Sequence, residues 1–143
     1  RAQAQSAQMQ FAVQAGPFRA RAAAMFTTAM LQVINDAGEG VLLLIDGLDE
    51  ADFARSRLTR QAVRQQLLLI ANTLGGLPES ARQAMPELDW DGWRHVGLAL
   101  QSPSPAGDDT AWFAARALVP ATLSWLRVYR EGQPGLFSGQ APR

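Results

Sequence analysis

Cysteine is absent from these 143 residues. That excludes a disulfide framework, a thiol nucleophile, Cys-ligated zinc and an iron–sulfur cluster, and it favours a cytoplasmic setting. Histidine occurs once, at His95. A His-rich metal cluster is therefore excluded, and no metal or other cofactor is expected. Charge of one sign is missing too: 13 basic and 13 acidic residues cancel to a formal net charge of zero. No bulk field draws the chain to nucleic acid or to an anionic membrane, which leaves only local basic patches to consider. Long apolar runs are lacking. The longest, such as residues 41–45 and 67–71, have five residues, against roughly 20 for a membrane-spanning helix. The first 20 residues lack the compact apolar core of a signal peptide, and no membrane association is expected.

What is present is apolar enough to fold. Hydrophobic residues make up 48% of the chain, too many for a disordered segment. Residues 1–19, rich in Ala and Gln, read as an extension that is either a frayed helix or disordered, ended by a break at Gly16-Pro17. Residues 20–45 carry Met25, Phe26, Met30, Val33, Ile34, Ala37, Val41, Leu44 and Ile45 near helical spacing. Gly38 and Gly40 interrupt them, so the helix bends there or another element packs closely. A strand at residues 41–45 is the rival assignment. An acidic turn follows, then a short helical piece capped by Asp46 or Asp49 and anchored by Phe53.

Residues 58–74 give the clearest helix. Val63, Leu67, Ile70 and Leu74 form one stripe, widened by Leu68, Leu69 and Ala71, which predicts a central and mostly buried element. Gly75-Gly76 suits a left-handed C-cap. A two-turn helix follows at residues 78–85 and stops at Pro86. The next spans residues 90–101, capped by Asp89 or Asp91, with Trp93, Val96 and Leu100 inward. After a loop at residues 102–107, Asp108 or Asp109 caps the last helix. Trp112, Ala114, Ala117, Leu118, Ala121, Trp125 and Val128 are its expected apolar residues, and Pro120 kinks it. Residues 132–143 read as a loose tail.

Three constellations could carry chemistry. Asp46-Gly-Leu-Asp-Glu50 after five apolar residues looks like the acidic, magnesium-holding strand end of a NACHT-type nucleotide-binding ATPase. Such a site needs an upstream G-x-x-x-x-G-K-[ST] loop, and the chain has no Lys-Ser or Lys-Thr pair. Arg94 and His95 are adjacent, about 100° apart on a helix, so they do not converge on one phosphate without help. Arg57, Arg60 and Arg64 follow helical spacing and are candidates for tracking a nucleic-acid backbone, or else a solvated face. The four Trp sit at helical positions that suit core packing rather than base stacking.

From about residue 25 to residue 130 the order of elements resembles the HepT-like branch of the HEPN domains, small helical toxins paired with nucleotidyltransferase antitoxins. The resemblance rests on Gly47 with Phe53, on Ala62-Val63, on Leu77-Pro78 with Arg82, on Pro86-Glu87-Leu88-Asp89-Trp90, and on Trp112 followed eight positions later by Pro120. It implies an all-α, up-and-down bundle of four to five helices over residues 20–131. It also implies a homodimer, a nucleotidyltransferase-like partner, and RNA as a possible ligand. Family members that cut RNA carry an Arg, a short spacer and a His, then a Tyr, in the helix after the Trp elbow. Counted from Trp90, those places fall here on Gly97, Ser102 and Ser104. An acidic position of the central helix falls near Asn72. Glycine has no side chain and serine has no group titrating near neutral pH. The expectation is a degenerate ribonuclease acting by binding; a displaced site at Arg94 and His95 is the alternative.

Overall fold

The computed structural model describes residues 2–137, with side chains from residue 16 onward. The last six residues of the expected tail lie outside that range. Among the described residues there is no strand; the all-α expectation holds, and residues 41–45 end a helix instead of starting a sheet.

The first helix, α1 (Ala2–Ile45), has 44 residues and runs through Pro17. The expected break at Gly16-Pro17 does not occur. Pro17 removes one donor from the ladder, but residues 16–23 are exposed, so water can take the carbonyl left over. By length and composition its Gly16–Ile45 portion would also be able to cross a membrane, a test that the core helix of a soluble protein passes equally. Its buried side chains are Thr27, Leu31, Ile34, Ala37, Val41 and Ile45. Met25, Phe26 and Leu44, expected inward, are at least a third exposed. The buried stripe turns about the helix at the 3.6-residue period, and Met25, Phe26 and Leu44 lie off its centre.

Gly47 closes the turn after α1 at φ 74, the one positive φ among the described residues. Asp49 then caps α2 (Glu50–Arg55), and Asp49 and Asp52 form a reciprocal capping box. Phe53 is buried against the Trp112 ring, 5.1 Å between centroids. Ser56 caps α3 (Arg57–Gly75). As expected, Val63, Leu67, Ile70 and Leu74 are buried on α3, joined by Thr73. Leu69 is instead exposed. Gly76 ends α3 in the right-handed region at φ −91, so the left-handed cap is not used. The last turn instead tightens, with the Gly76 N–H reaching the Asn72 and Thr73 carbonyls.

Pro78 opens α4 (Glu79–Ala84). Asp89 caps α5 (Trp90–Ala99) by accepting from Gly92 N. Trp93, Val96 and Leu100 are buried, as expected. Ser104, rather than Asp108 or Asp109, caps α6 (Pro105–Phe113), because Pro105 starts the helix before either aspartate. A π turn (Ala114–Leu118) leads into α7 (Val119–Gly132), and a 3-10 turn (Pro134–Leu136) follows. The disturbance expected at Pro120 thus takes the form of a wide turn just before it, where a missing N–H is tolerated. The core face of α7 is Val119, Thr122, Leu126 and Tyr129, whereas Ala117, Ala121, Trp125 and Val128 are exposed. The sequence pattern pointed to the neighbouring face.

The pairing of α1 with α3 is the most extensive in the protein, followed by α3 with α5 and α1 with α7. Gly38 is where α7 approaches α1: a Cβ there would lie 2.8 Å from Leu123 Cδ2. Gly40 faces open space. Polar links fasten the rest. Trp93 Nε1 donates to Thr122 Oγ1 at 2.9 Å and ties α5 to α7. The Pro86–Trp90 elbow is held at both ends: Trp90 Nε1 donates to the Met85 carbonyl, and Tyr129 of α7 donates its hydroxyl to Glu87 while accepting from Glu87 N.

Two predictions follow from this packing. Leu67→Ala or Ile70→Ala removes a wholly enclosed side chain and should cost about 2–5 kcal/mol in urea denaturation. Tyr129 has its pKa pushed up to about 12, first by burial and then by the Glu87 carboxylate it donates to. The folded protein therefore holds that proton more tightly than the unfolded chain. The Tyr129 contribution is complete below about pH 10 and is lost as pH climbs toward 12. Stability should fall between those pH values in the wild type, and Tyr129→Phe should flatten that part of the profile.

Candidate functional site

Arg94 and His95 lie one turn into α5 on its exposed side. Neither has a hydrogen bond or ion pair among the described residues. Exposed Leu98 shares this outer surface of α5. The helix keeps the two polar groups divergent, as the 100° step requires.

Gly97 points elsewhere. A Cβ on it would sit 3.3 Å from the Ala71 Cβ of α3, so glycine here lets α5 close on the central helix. Ser102 and Ser104 lie beyond the end of α5, whose last helical residue is Ala99. Ser102 is exposed in the bend. Ser104 is occupied as the cap of α6, accepting from Gly107 N at 2.9 Å. Positions 97 and 102 therefore share no helix face. Asn72 is exposed near the end of α3.

The basic cluster of α3 does structural work. Arg60 donates to the Phe53 and Ala54 carbonyls at the end of α2, and pairs with Asp108 of α6 at 3.6 Å. Arg64 Nε donates to the Leu100 carbonyl at 2.7 Å, and Nη2 to the Gln101 carbonyl at 2.9 Å. The last carbonyls of a helix have no partner inside it and carry the negative end of the dipole, so a guanidinium is a suitable cap. Of the three arginines proposed to track a phosphate backbone, Arg57 alone is exposed and without a partner among the described residues.

The acidic turn likewise spends its carboxylates locally. The Asp52 carboxyl is held below its ordinary value, chiefly by the N–H of Asp49, with Arg55 contributing at 2.5 Å. Asp49 accepts from Asp52 N at 2.7 Å. No group of three or more carboxylates or imidazoles among the described residues is placed to hold a metal ion. The strand that a nucleotide-binding reading of this turn requires is helix.

The four tryptophans divide. Trp93 is enclosed. Trp90 lies under Arg82, and Trp112 lies between Phe53 and Arg116. Trp125 is the most exposed of them and stacks on Tyr129 at 5.9 Å.

Sequence reasoning missed one feature: a cleft of about 490 Å³ between the middle of α1, α4 and the segment after α7. Its signal was the cluster of small residues at Ala20 and Ala22–Ala24, which a search for large apolar residues passes over. No family model matches the chain, and no curated protein or solved structure shows significant similarity to it.

The different duties of the α3 arginines can be separated by measurement. Arg64→Gln should lower stability by about 1–2 kcal/mol, since it removes two hydrogen bonds at the end of α5, one of them to the part-buried Leu100 carbonyl. Arg57→Gln should stay within about 0.5 kcal/mol of wild type.

Proposed function

We propose that this chain is a helical binding protein of HEPN, HepT-like lineage whose ribonuclease positions no longer carry reacting groups. It acts as a homodimer in the cytoplasm, with a nucleotidyltransferase-like partner or RNA as its ligand. One observation supports the loss of activity above the rest. The two positions that should supply a phosphate-holding Arg and a proton-transferring His are a glycine pressed against Ala71 and a serine beyond the end of α5. Neither offers a group that binds phosphate or moves a proton near neutral pH. Exposed apolar side chains on α1 (Met25, Phe26) and α5 (Leu98) support the dimer, since such surface is commonly buried between subunits.

A second reading places a displaced ribonuclease site at Arg94 and His95. In its favour, both side chains are exposed and uncommitted, and His is the usual group for proton transfer near neutral pH. A labelled RNA separates the two. The purified wild-type protein should leave it intact, and expression should not arrest growth. Cleavage by wild type that is lost in His95→Ala would overturn the binding-only function and assign catalysis to the Arg94–His95 surface.

A further inference from the structure

The cleft between α1, α4 and the C-terminal segment belongs to none of the candidate sites above. Ala20, Ala23, Ala24 and Thr27 form one wall at helical spacing, and Pro78, Ala81 and Ala84 form the facing wall. Leu136 and Gln133 close one side. Two links hold that side in place: Thr28 Oγ1 shares its proton between the Leu136 carbonyl at 2.9 Å and the Ala24 carbonyl at 3.0 Å, and Gln133 Nε2 donates to the Ala84 carbonyl at 3.0 Å. The space is therefore bounded by three fastened elements.

Its chemistry is narrow. Among the described residues, no charged side chain and no aromatic ring lines it. That disfavours phosphates, carboxylates and nucleobases, which need cations or stacking surfaces. Close-packed proteins leave few apolar voids, and small residues on both walls keep this one open. Thr27 marks the polar end. It is only 7% exposed, and its hydroxyl has no hydrogen-bond partner among the described residues. Yet no buried side-chain oxygen is sealed away unpaired among them. What remains open of Thr27 faces the cleft it lines. The Thr27 hydroxyl is thus reachable and has no partner within the described residues, so water or a bound molecule can take its hydrogen bond.

We propose that this cleft is a binding site for a neutral, straight-chain aliphatic molecule bearing one hydrogen-bonding head group, with the chain along the alanines and the head group at Thr27. The uncharged lining matches an uncharged ligand, and the lack of rings matches a flexible chain. This inference is independent of the lineage and of any ribonuclease activity.

The test is a nuclear magnetic resonance titration of the full chain with 1-octanol. Saturable shifts are expected for residues of the cleft: 20–27, 78–84 and 133–136. Ala24→Phe fills the space from one wall and Ala84→Leu from the other, and at least one should fold; either should weaken octanol binding tenfold or more. Thr27→Val keeps the shape and removes the hydroxyl. It should weaken octanol by about fivefold to tenfold, the effect of one hydrogen bond, while leaving binding of hexane unchanged. Absence of saturable shifts overturns the proposal, as does binding that survives in the filled variants. So does a wild-type dimer that becomes monomeric in Ala24→Phe and Ala84→Leu, which would assign the cleft to a second copy of the chain.

Discussion

The pairing of α1 with α3 is the constraint on which the other placements depend. Leu31, Ile34, Ala37 and Val41 on one helix and Val63, Leu67, Ile70 and Leu74 on the other are all buried, most of them completely. Burying a Leu or Ile side chain is worth about 1.5–3 kcal/mol each, so this pair carries much of the driving force. Once the two helices lie together, α5 can close on α3 through Gly97, and α7 can close on α1 through Gly38. Both contacts use a glycine: even a Cβ would meet Leu123 at position 38 and press on Ala71 at position 97, so either neighbour would have to shift.

The polar groups complete this arrangement at the helix ends. All 13 basic residues are arginines. A guanidinium presents several donors in a fixed fork, and Arg60 and Arg64 use theirs on carbonyls at the ends of α2 and α5. Carbonyls there would otherwise need water. The same logic explains the single Tyr, which bridges both the N–H and the carboxylate of Glu87. Charge that looks available for a ligand when the chain is read as a string is thus largely committed to closing the fold.

The legible part of the architecture was the part with strong periodicity. The α3 stripe, the inward face of α5 and the anchor at Phe53 follow from residue type and spacing, which also narrow the caps of α2 and α5 to two aspartates each, Asp46 or Asp49 and Asp89 or Asp91. Failures came where a competing term decided. Pro17 was given a helix-breaking role, which exposure relieves. Ala117, Ala121 and Trp125 were placed inside because a 3.6-residue period was carried through residues 114–118, where a π turn intervenes. Asp108 and Asp109 suit a cap by residue type, but Ser104-Pro105 provides the cap and first helical residue. Of the candidate site residues, Arg94 and His95 are exposed as surface groups, while Arg60 and Arg64 are tied to carbonyls more than thirty-five or only six to seven positions away. The longer of those links has no local signature.

The same packing bears on the proposed lineage, which would place an Arg at position 97 and a His at position 102. An Arg at position 97 would begin with a Cβ already tight against Ala71, so the contact between α5 and α3 must give before it fits. A His at position 102 would hang from the bend after α5, outside the helix that carries position 97. Catalysis by an Arg and a His requires both held at fixed separation around one phosphate, and small misplacements are costly. Here one position is fixed by contact and the other is not on the same element. Introducing the residue types alone would leave the geometry unmade; α5 would have to continue past Ala99, through the segment that Ser104 and Pro105 use to start α6.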